Sequence, residues 1–484
     1  SEFQKFNIER ISFNSKNDFK FKINKNFKIK KLNIKSTINL DELKLKNSLN
    51  LQKIFPKIKK DFIFKNQKIK LEYEKDNLNI DGSGEVFLQN KADRIYYKII
   101  KRKDEINFNA SLNILKNQFE LELLNYKKNE SSDLKLDFKG KYNQKKLIFD
   151  KISLIEKNNS ILIKNLDITK NNKINDVSSV NIDIMDKENL DNKLQIKKKG
   201  EGYLIQGNSF NANNIIEKLL NSEDNKKYKL FNKNFDLIFD IKKVYLDKNN
   251  VINDLKGFLS LDNNEISELN LESSFSNQKN IKFTIKTNGK EKITTLFSSK
   301  AKPLVDRYKF IKGFEEGDVD FYSVKKDGTT KSTLKIDDFK IQEIPVLAKI
   351  LTLASLQGIA DLLTGEGIRF TDFEMKFSNN DKLMTIEEMY AIGPAISILL
   401  DGYIESKKLI SLRGTLVPAT TVNRTISSIP IIGDILVGKK VGEGVFGVSF
   451  KIKGPPNDLE TTVNPIKTLT PRFITRTLEK IKKN

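Results

Sequence analysis

The 484-residue chain contains no histidine and no cysteine. Imidazole acid–base chemistry, thiolate nucleophiles, disulfides and the usual zinc ligand sets are therefore excluded. Carboxylates remain, and two adjacent pairs stand out, Asp337-Asp338 and Glu387-Glu388. Neighbours on a strand point to opposite faces, so neither pair makes a two-carboxylate centre. The segment GKKVGEG, Gly438 to Gly444, has the glycine content of a phosphate-cradling loop. It lacks the G-x-x-x-x-G-K-[ST] order, because Lys440 rather than a hydroxyl residue follows Gly438-Lys439. These glycines, with Gly402, Gly414, Gly433 and Gly447, read as turn formers. The expectation is a protein that is not an enzyme, with no catalytic residue, no cofactor and no metal.

What the chain has in quantity is apolar side chains at a spacing of two. Ile106, Phe108, Ala110, Leu112 and Ile114 alternate with Asn107, Asn109, Ser111 and Asn113. Phe235, Leu237 and Phe239 repeat the pattern, as do Ile281, Phe283 and Ile285. Residues two apart share one face of a strand, so each run offers an apolar face and a polar one. These eleven residues are candidates for lining an apolar groove. The same pattern would also fill a closed core between two sheets.

Such runs recur along the chain, broken by Asn, Lys, Asp or Gly, and no long linker divides them. Hydrophobic residues make up 38% and charged residues 31%, a thin core suited to strands with one wet face. A two-sheet sandwich could use these strands, but so many without a break fit an extended curved sheet better. About 25 strands at roughly 4.8 Å would span on the order of 120 Å. Two regions are expected, a strand meander over 1–297 with a short helix near 213–220, and a C-terminal region over 298–484. The latter holds predicted helices near 302–310, 345–363 and 471–483. Pro345 suits the first turn of the long one, and Gly365 its end. Its apolar residues Leu347, Ile350, Leu351, Ala354, Ile359 and Leu362 either plug the sheet or touch lipid. The segment TPRFITRTLEKIKK places Phe473 and Ile474 on one face of a basic helix, docked on the sheet or resting on an anionic leaflet.

The formal charge of +23 favours anionic partners. The lysines are spread rather than gathered into an arm, so no nucleic acid is expected and an anionic membrane surface is. No run of about 18 apolar residues is present, which leaves no transmembrane helix. Beginning at Ser1 inside a strand-like pattern, the chain reads as part of a longer protein.

Several segments, in order, are similar to one family. They are IPVLAKILTLASLQGIADLLTGEGIRF, AIGPAISILLDGYI, RGTLVPATTVNRTISSIPIIGDILVG and GVFGVSFKIKGPPNDLETTVNPIKTLTP. They resemble the C-terminal region of the AsmA-like/YhdP proteins, envelope proteins of diderm bacteria related to the TamB group and to bridge-like lipid-transfer proteins. The resemblance covers about residues 300 to 475. Its recognisable pieces are Ala354 to Gly358, Leu362 to Ile368, Gly393-Pro394, Gly414 to Pro418, Ile429 to Gly433 and Val463-Asn464-Pro465. The family's N-terminal anchor is not in this sequence, and its Pro-Gly after the VNP segment stands here as Pro471-Arg472.

The resemblance implies a periplasmic protein held at the inner membrane by a segment absent from this chain. It implies a long β-groove whose interior carries phospholipid acyl chains, with possible envelope protein partners. The fold expected is thus mostly β, a long curved antiparallel sheet forming an elongated groove, with a few short helices near the C-terminal end. The function expected is a non-enzymatic conduit or scaffold that moves phospholipids between inner and outer membranes. The alternative is a structural or assembly factor for outer-membrane protein biogenesis. Sheltering a methylene from water contributes about 0.8 kcal/mol, so ordinary side chains can hold an acyl chain without a titrating group or metal.

Overall fold

The computed structural model describes residues 8–47, 51–143, 146–169, 173–221, 234–262, 265–275, 279–307, 312–342, 344–354, 356, 365–380, 382–406, 408–418, 448–456 and 458–464. The protein is mostly β. Of the described strands, all but one two-residue pair belong to a mixed 26-stranded sheet. Two compact units are distinguished, Ser1–Ile266 and Ser267–Asn484.

In the first unit, β1 (Ile8–Ile23), β2 (Ile29–Lys46), β3 (Asp61–Glu74), β4 (Asn77–Phe87), β5 (Asp93–Arg102) and β6 (Glu105–Ile114) pair antiparallel in chain order. An excursion follows, made of β7 (Glu120–Leu121), a 3-10 turn (Glu122–Leu124) and β8 (Tyr126–Lys127). The ladder resumes with β9 (Leu134–Asn143) beside β6. It continues through β10 (Lys146–Glu156), β11 (Asn159–Thr169), β12 (Ile174–Asp176), β13 (Ser179–Met185), β14 (Asp191–Lys199) and β15 (Gly202–Asn211). Local chemistry drives the hairpins. Lys75 and Asp76, at φ 48 and 64, are both left-handed in the two-residue turn from β3 to β4, the geometry whose twist matches the flanking strands.

One step departs from the expected all-antiparallel sheet. Helix α1 (Asn213–Asn221) separates β15 from β16 (Phe235–Tyr245), and these two strands run parallel. Parallel neighbours need a crossover of a dozen or more residues, which a hairpin turn cannot supply. Tyr203 packs edge-to-face on Phe235 across this step, with ring centroids 5.6 Å apart. β17 (Val251–Asp262) then returns antiparallel.

The second unit repeats the meander with β18 (Glu265–Ser274), β19 (Asn280–Asn288), β20 (Glu291–Ser298), β21 (Lys312–Lys326), β22 (Thr329–Gln342), β23 (Ile368–Asn380), β24 (Leu383–Ile392), β25 (Ile396–Glu405), β26 (Leu409–Pro418), β27 (Val448–Gly454) and β28 (Glu460–Asn464). The turn joining β21 to β22 is Asp327-Gly328, at φ 47 and 83. Among the described residues of this unit are two helices, α2 (Lys302–Val305) and α3 (Pro345–Leu353).

The helix at 213–220 falls where the sequence places it. Helix α2 is one turn at the start of the predicted 302–310, whose residues 308–310 lie outside the described ones. In α3, Pro345 occupies the first turn as expected. The described helix closes at Ala354, not at Gly365, and residues 357–364 lie outside the described ones. The segment 471–483 also lies outside them.

The core of the second unit sits between its sheet and these helices. Leu347, Ile350 and Leu351 of α3 cluster with Val319, Ile336, Ile368 and Leu416 from the strands. Phe314, Phe339 and Phe370, one on each of β21, β22 and β23, stack face to face at 5.3 and 5.4 Å. Stacked aromatic pairs add to their area burial. Truncating Leu351, which is fully buried, leaves a cavity that close-packed neighbours cannot fill. Leu351→Ala is expected to destabilise the second unit by about 2–5 kcal/mol, measured as a lowered urea midpoint of its unfolding transition.

Candidate apolar surface

Register turns the separate apolar runs into continuous rows. In the first unit one row crosses thirteen strands: Ile38, Ile69, Gly82, Tyr97, Ala110, Phe138, Ile152, Ile163, Val180, Ile196, Ile205, Phe239 and Gly257, each paired with the next. At roughly 4.8 Å per strand its length is on the order of 60 Å along the ladder. At Gly82 an aromatic ring fills the space. A Cβ at Gly82 would fall 2.4 Å from the ring of Tyr97, so the small residue lets that ring lie across its neighbour. Phe108 covers Gly140 in the same way in the adjoining row.

From Ile38 to Phe239 the side chains of this row are half-buried. The row beside it is closed. Leu112, Leu136, Leu154, Ile161, Ile182, Leu194 and Ile241 are buried, and beyond them Ile114 and Leu134 are at 0% exposure. Three pieces of chain meet near that end: residues 51–60, the excursion carrying β7 and β8, and α1. Phe55 and Phe119 meet edge-to-face at 5.5 Å. The Glu120 N–H donates to Ile54 at 2.9 Å, and Asn214 Nδ2 of α1 donates to the carbonyl of Glu122 at 2.8 Å.

This cap is pinned by buried polar groups. Glu156, at the end of β10, accepts from Tyr126 Oη at 2.5 Å, from the Asn129 N–H at 2.8 Å, from Asn159 Nδ2 at 3.3 Å and from the Ser132 hydroxyl. Burial alone would raise its pKa, but these donors together hold the carboxyl below its ordinary value. Nearby, Lys128 Nζ donates to the carbonyls of Leu115 at 2.7 Å and Asn129 at 3.1 Å, and burial lowers its pKa. Asp93 accepts from Asn117 at 2.8 Å and from the Leu115 N–H at 3.1 Å, and burial raises its pKa.

The second unit has its own row. Leu271, Phe283, Leu296, Phe321, Leu334, Met375, Met389, Leu400, Gly414, Phe450 and Val463 pair in succession from β18 to β28. They are half-buried as far as Met389, and Leu400 and Phe450 are buried. Leu400 and Phe450 belong to the core beneath α2 and α3, and Leu334, Met375, Met389 and Val463 pack against it.

The candidates named from sequence divide accordingly. Ile106, Phe108, Ala110, Leu237, Phe239, Ile281 and Phe283 are half-buried on the sheet. Leu112, Ile114, Phe235 and Ile285 are buried, as are Leu347, Ile350, Leu351 and Ala354. Ile359, Leu362, Phe473 and Ile474 lie outside the described residues. Most of the long row was missed. Alternation marks Ile152 or Ile196 as facing the same way as its own strand-mates, but alignment with neighbouring strands is not written locally. The Glu156 network was missed because its members come from separate parts of the chain.

The carboxylates singled out for chemistry do not converge as a pair. Asp337 and Asp338 are exposed, but Asp337 stands between Asp318 and Asp372 on the flanking strands. Loss of hydration and the Asp372 charge raise its pKa. Like charges directly opposite destabilise a sheet. No family model matches the chain, and comparison with curated proteins gives no match either.

Two carboxylates should thus respond to acid with opposite signs. Glu156 has a depressed folded pKa, so its contribution is complete above the unfolded carboxylate value and disappears as pH falls through the folded one. Glu156→Gln is expected to cost about 1.5–3 kcal/mol, with faster amide exchange over residues 115–133 as the direct readout. Asp337 has a raised folded pKa, so acidification through that value relieves a cost. Asp337→Asn is expected to stabilise by about 0.2–1 kcal/mol at neutral pH, with the gain shrinking in titrations towards acid.

Proposed function

We propose that this chain is a lipid-carrying segment of an AsmA-like/YhdP protein, in which the half-buried apolar rows line a groove for phospholipid acyl chains. The observation that carries this reading is the thirteen-strand row from Ile38 to Gly257. An acyl chain needs continuity, because every gap wetted by water forfeits methylene burial at about 0.8 kcal/mol each. Half-buried side chains meet that need better than a closed core, which has no room for a guest. The polar network around Glu156 gives the groove one firm wall and leaves the row beside it accessible.

The setting proposed is the periplasm of a diderm bacterium, with the chain tethered to the inner membrane and phospholipid passing towards the outer one. No bond is made or broken in this reading. No helix among the described residues is long and apolar enough to cross a membrane.

A second reading, assembly of outer-membrane proteins, draws on a different observation. Among the described residues, the sixteen-residue β1 pairs only with β2, leaving its other edge open. An open edge can template a strand from another chain.

Mass spectrometry of lipid extracted from the purified chain separates the two. Stoichiometric phospholipid is expected on the unaltered protein and lost from a Phe138→Asp, Ile163→Asp variant with unchanged circular dichroism. A folded, lipid-free protein would overturn the conduit reading.

A further inference from the structure

The densest group of exposed apolar side chains lies on one hairpin, the β1–β2 pair. Phe19, Phe21, Ile23, Phe27 and Ile29 are between 49% and 89% exposed, Phe27 the most. Its turn is well fixed. Asn24 Oδ1 accepts from the N–H groups of Asn26 and Lys28 at 3.1 and 2.8 Å, and the Phe27 N–H donates to the Asn24 carbonyl at 3.0 Å. In this frame Phe27 has φ 55. Three-residue hairpin loops end on a left-handed residue, and glycine or asparagine holds that position at least cost. A phenylalanine there carries backbone strain and full hydration of its ring together, and nothing in the hairpin compensates.

The charges around the tip are of one sign. Lys20, Lys22, Lys25, Lys28, Lys30 and Lys31 surround these residues, and no Asp or Glu occurs between Asp18 and Asp41. Lys22 stands directly opposite Lys30 in the ladder, an arrangement that destabilises a hairpin unless an anion lies between or beside the two. Among the described residues none of these six lysines has a carboxylate within ion-pair distance, whereas Lys44, further along β2, bridges Glu9 and Asp61 at 2.7 and 3.1 Å. Strain, exposure and uncompensated charge thus coincide on one short turn.

We propose that the β1–β2 hairpin tip docks on an anionic lipid bilayer. Phe27, with Phe21, Ile23 and Ile29, enters the boundary between headgroups and acyl chains, and the lysines lie among the phosphates. A fluid interface accepts an apolar tip ringed by cations without requiring a shaped pocket, and the basic residues supply the attraction that brings it there. Single-stranded nucleic acid would instead call for bases stacked on aromatic platforms along a groove, and two of the residues at this tip are isoleucines. The docking needs only a lipid surface. It holds whether or not the sheet carries lipid.

The sequence has no tryptophan, so Phe27→Trp in the full 484-residue chain provides a single local reporter. With vesicles of mixed phosphatidylglycerol and phosphatidylcholine, its emission is expected to shift to the blue and to be quenched by lipids brominated on the acyl chain. Vesicles of phosphatidylcholine alone should give neither change. Replacing Lys22, Lys25, Lys28 and Lys30 by Gln in that reporter is expected to weaken partitioning at least about 100-fold, and raised salt should weaken it in the same direction. Phe27→Asn guards against misfolding, because asparagine suits the left-handed position. It should keep or raise the thermal midpoint while reducing vesicle sedimentation. Emission from the tryptophan that ignores anionic vesicles would overturn the proposal, as would sedimentation undiminished by the four glutamines. A blue shift that follows protein concentration without lipid would also overturn it, in favour of a second copy of the chain.

Discussion

The architecture depends on cross-strand register between apolar side chains. Each strand alone is a short run with one apolar face, too small to bury anything. Pairing Ile152 with Phe138 on one side and Ile163 on the other converts such runs into a shared row. A one-residue slip at any strand would turn its apolar face outward and interrupt the row. The glycines opposite Tyr97 and Phe108 serve the same constraint, since a side chain at Gly82 or Gly140 would force those rings away.

Each unit closes one side of its apolar face and leaves the adjoining row half-covered. In the first, the covering pieces are irregular chain and a short helix, so their backbone groups need partners. Glu156 accepts from the Asn129 N–H, and Lys128 donates to the carbonyls of Leu115 and Asn129. In the second, α3 brings Leu347, Ile350 and Leu351 onto the sheet and needs no comparable polar network. A hydrogen-bonded wall and a hydrophobic one thus answer the same requirement, that buried backbone and side-chain polar groups find partners. Burial also divides the apolar residues by role. Leu112 and Ile114 are buried, whereas Ala110 and Phe108, two and four positions before Leu112 on β6, are half-buried.

The hairpin of β1 and β2 stands apart from this economy of burial. At its tip Phe19, Phe21, Ile23, Phe27 and Ile29 are exposed, and among the described residues the six lysines from Lys20 to Lys31 have no carboxylate within ion-pair distance. A left-handed phenylalanine at the turn, with asparagine already fixing the turn beside it, marks a position where presentation of the ring outweighs local stability. Lipid inside the sheet and lipid beneath the hairpin would draw on one physical property, apolar surface that the protein does not cover for itself.

Much of the strand content was legible in the sequence, because alternation at a period of two is a local signal. The short helix at Asn213–Asn221 and the proline start of α3 were legible for the same reason. The absence of histidine and cysteine limited the chemistry before any fold was known. What the sequence could not convey were relations between distant segments. The parallel step at β15 and β16 depends on where the chain re-enters the sheet after α1. The meeting of Phe55 with Phe119 depends on an excursion outside the ladder, and the alignment of Asp318, Asp337 and Asp372 depends on register. Local alternation determined which face each residue takes. Only tertiary structure decided which of those faces are covered, because covering is done by parts of the chain that no local pattern names.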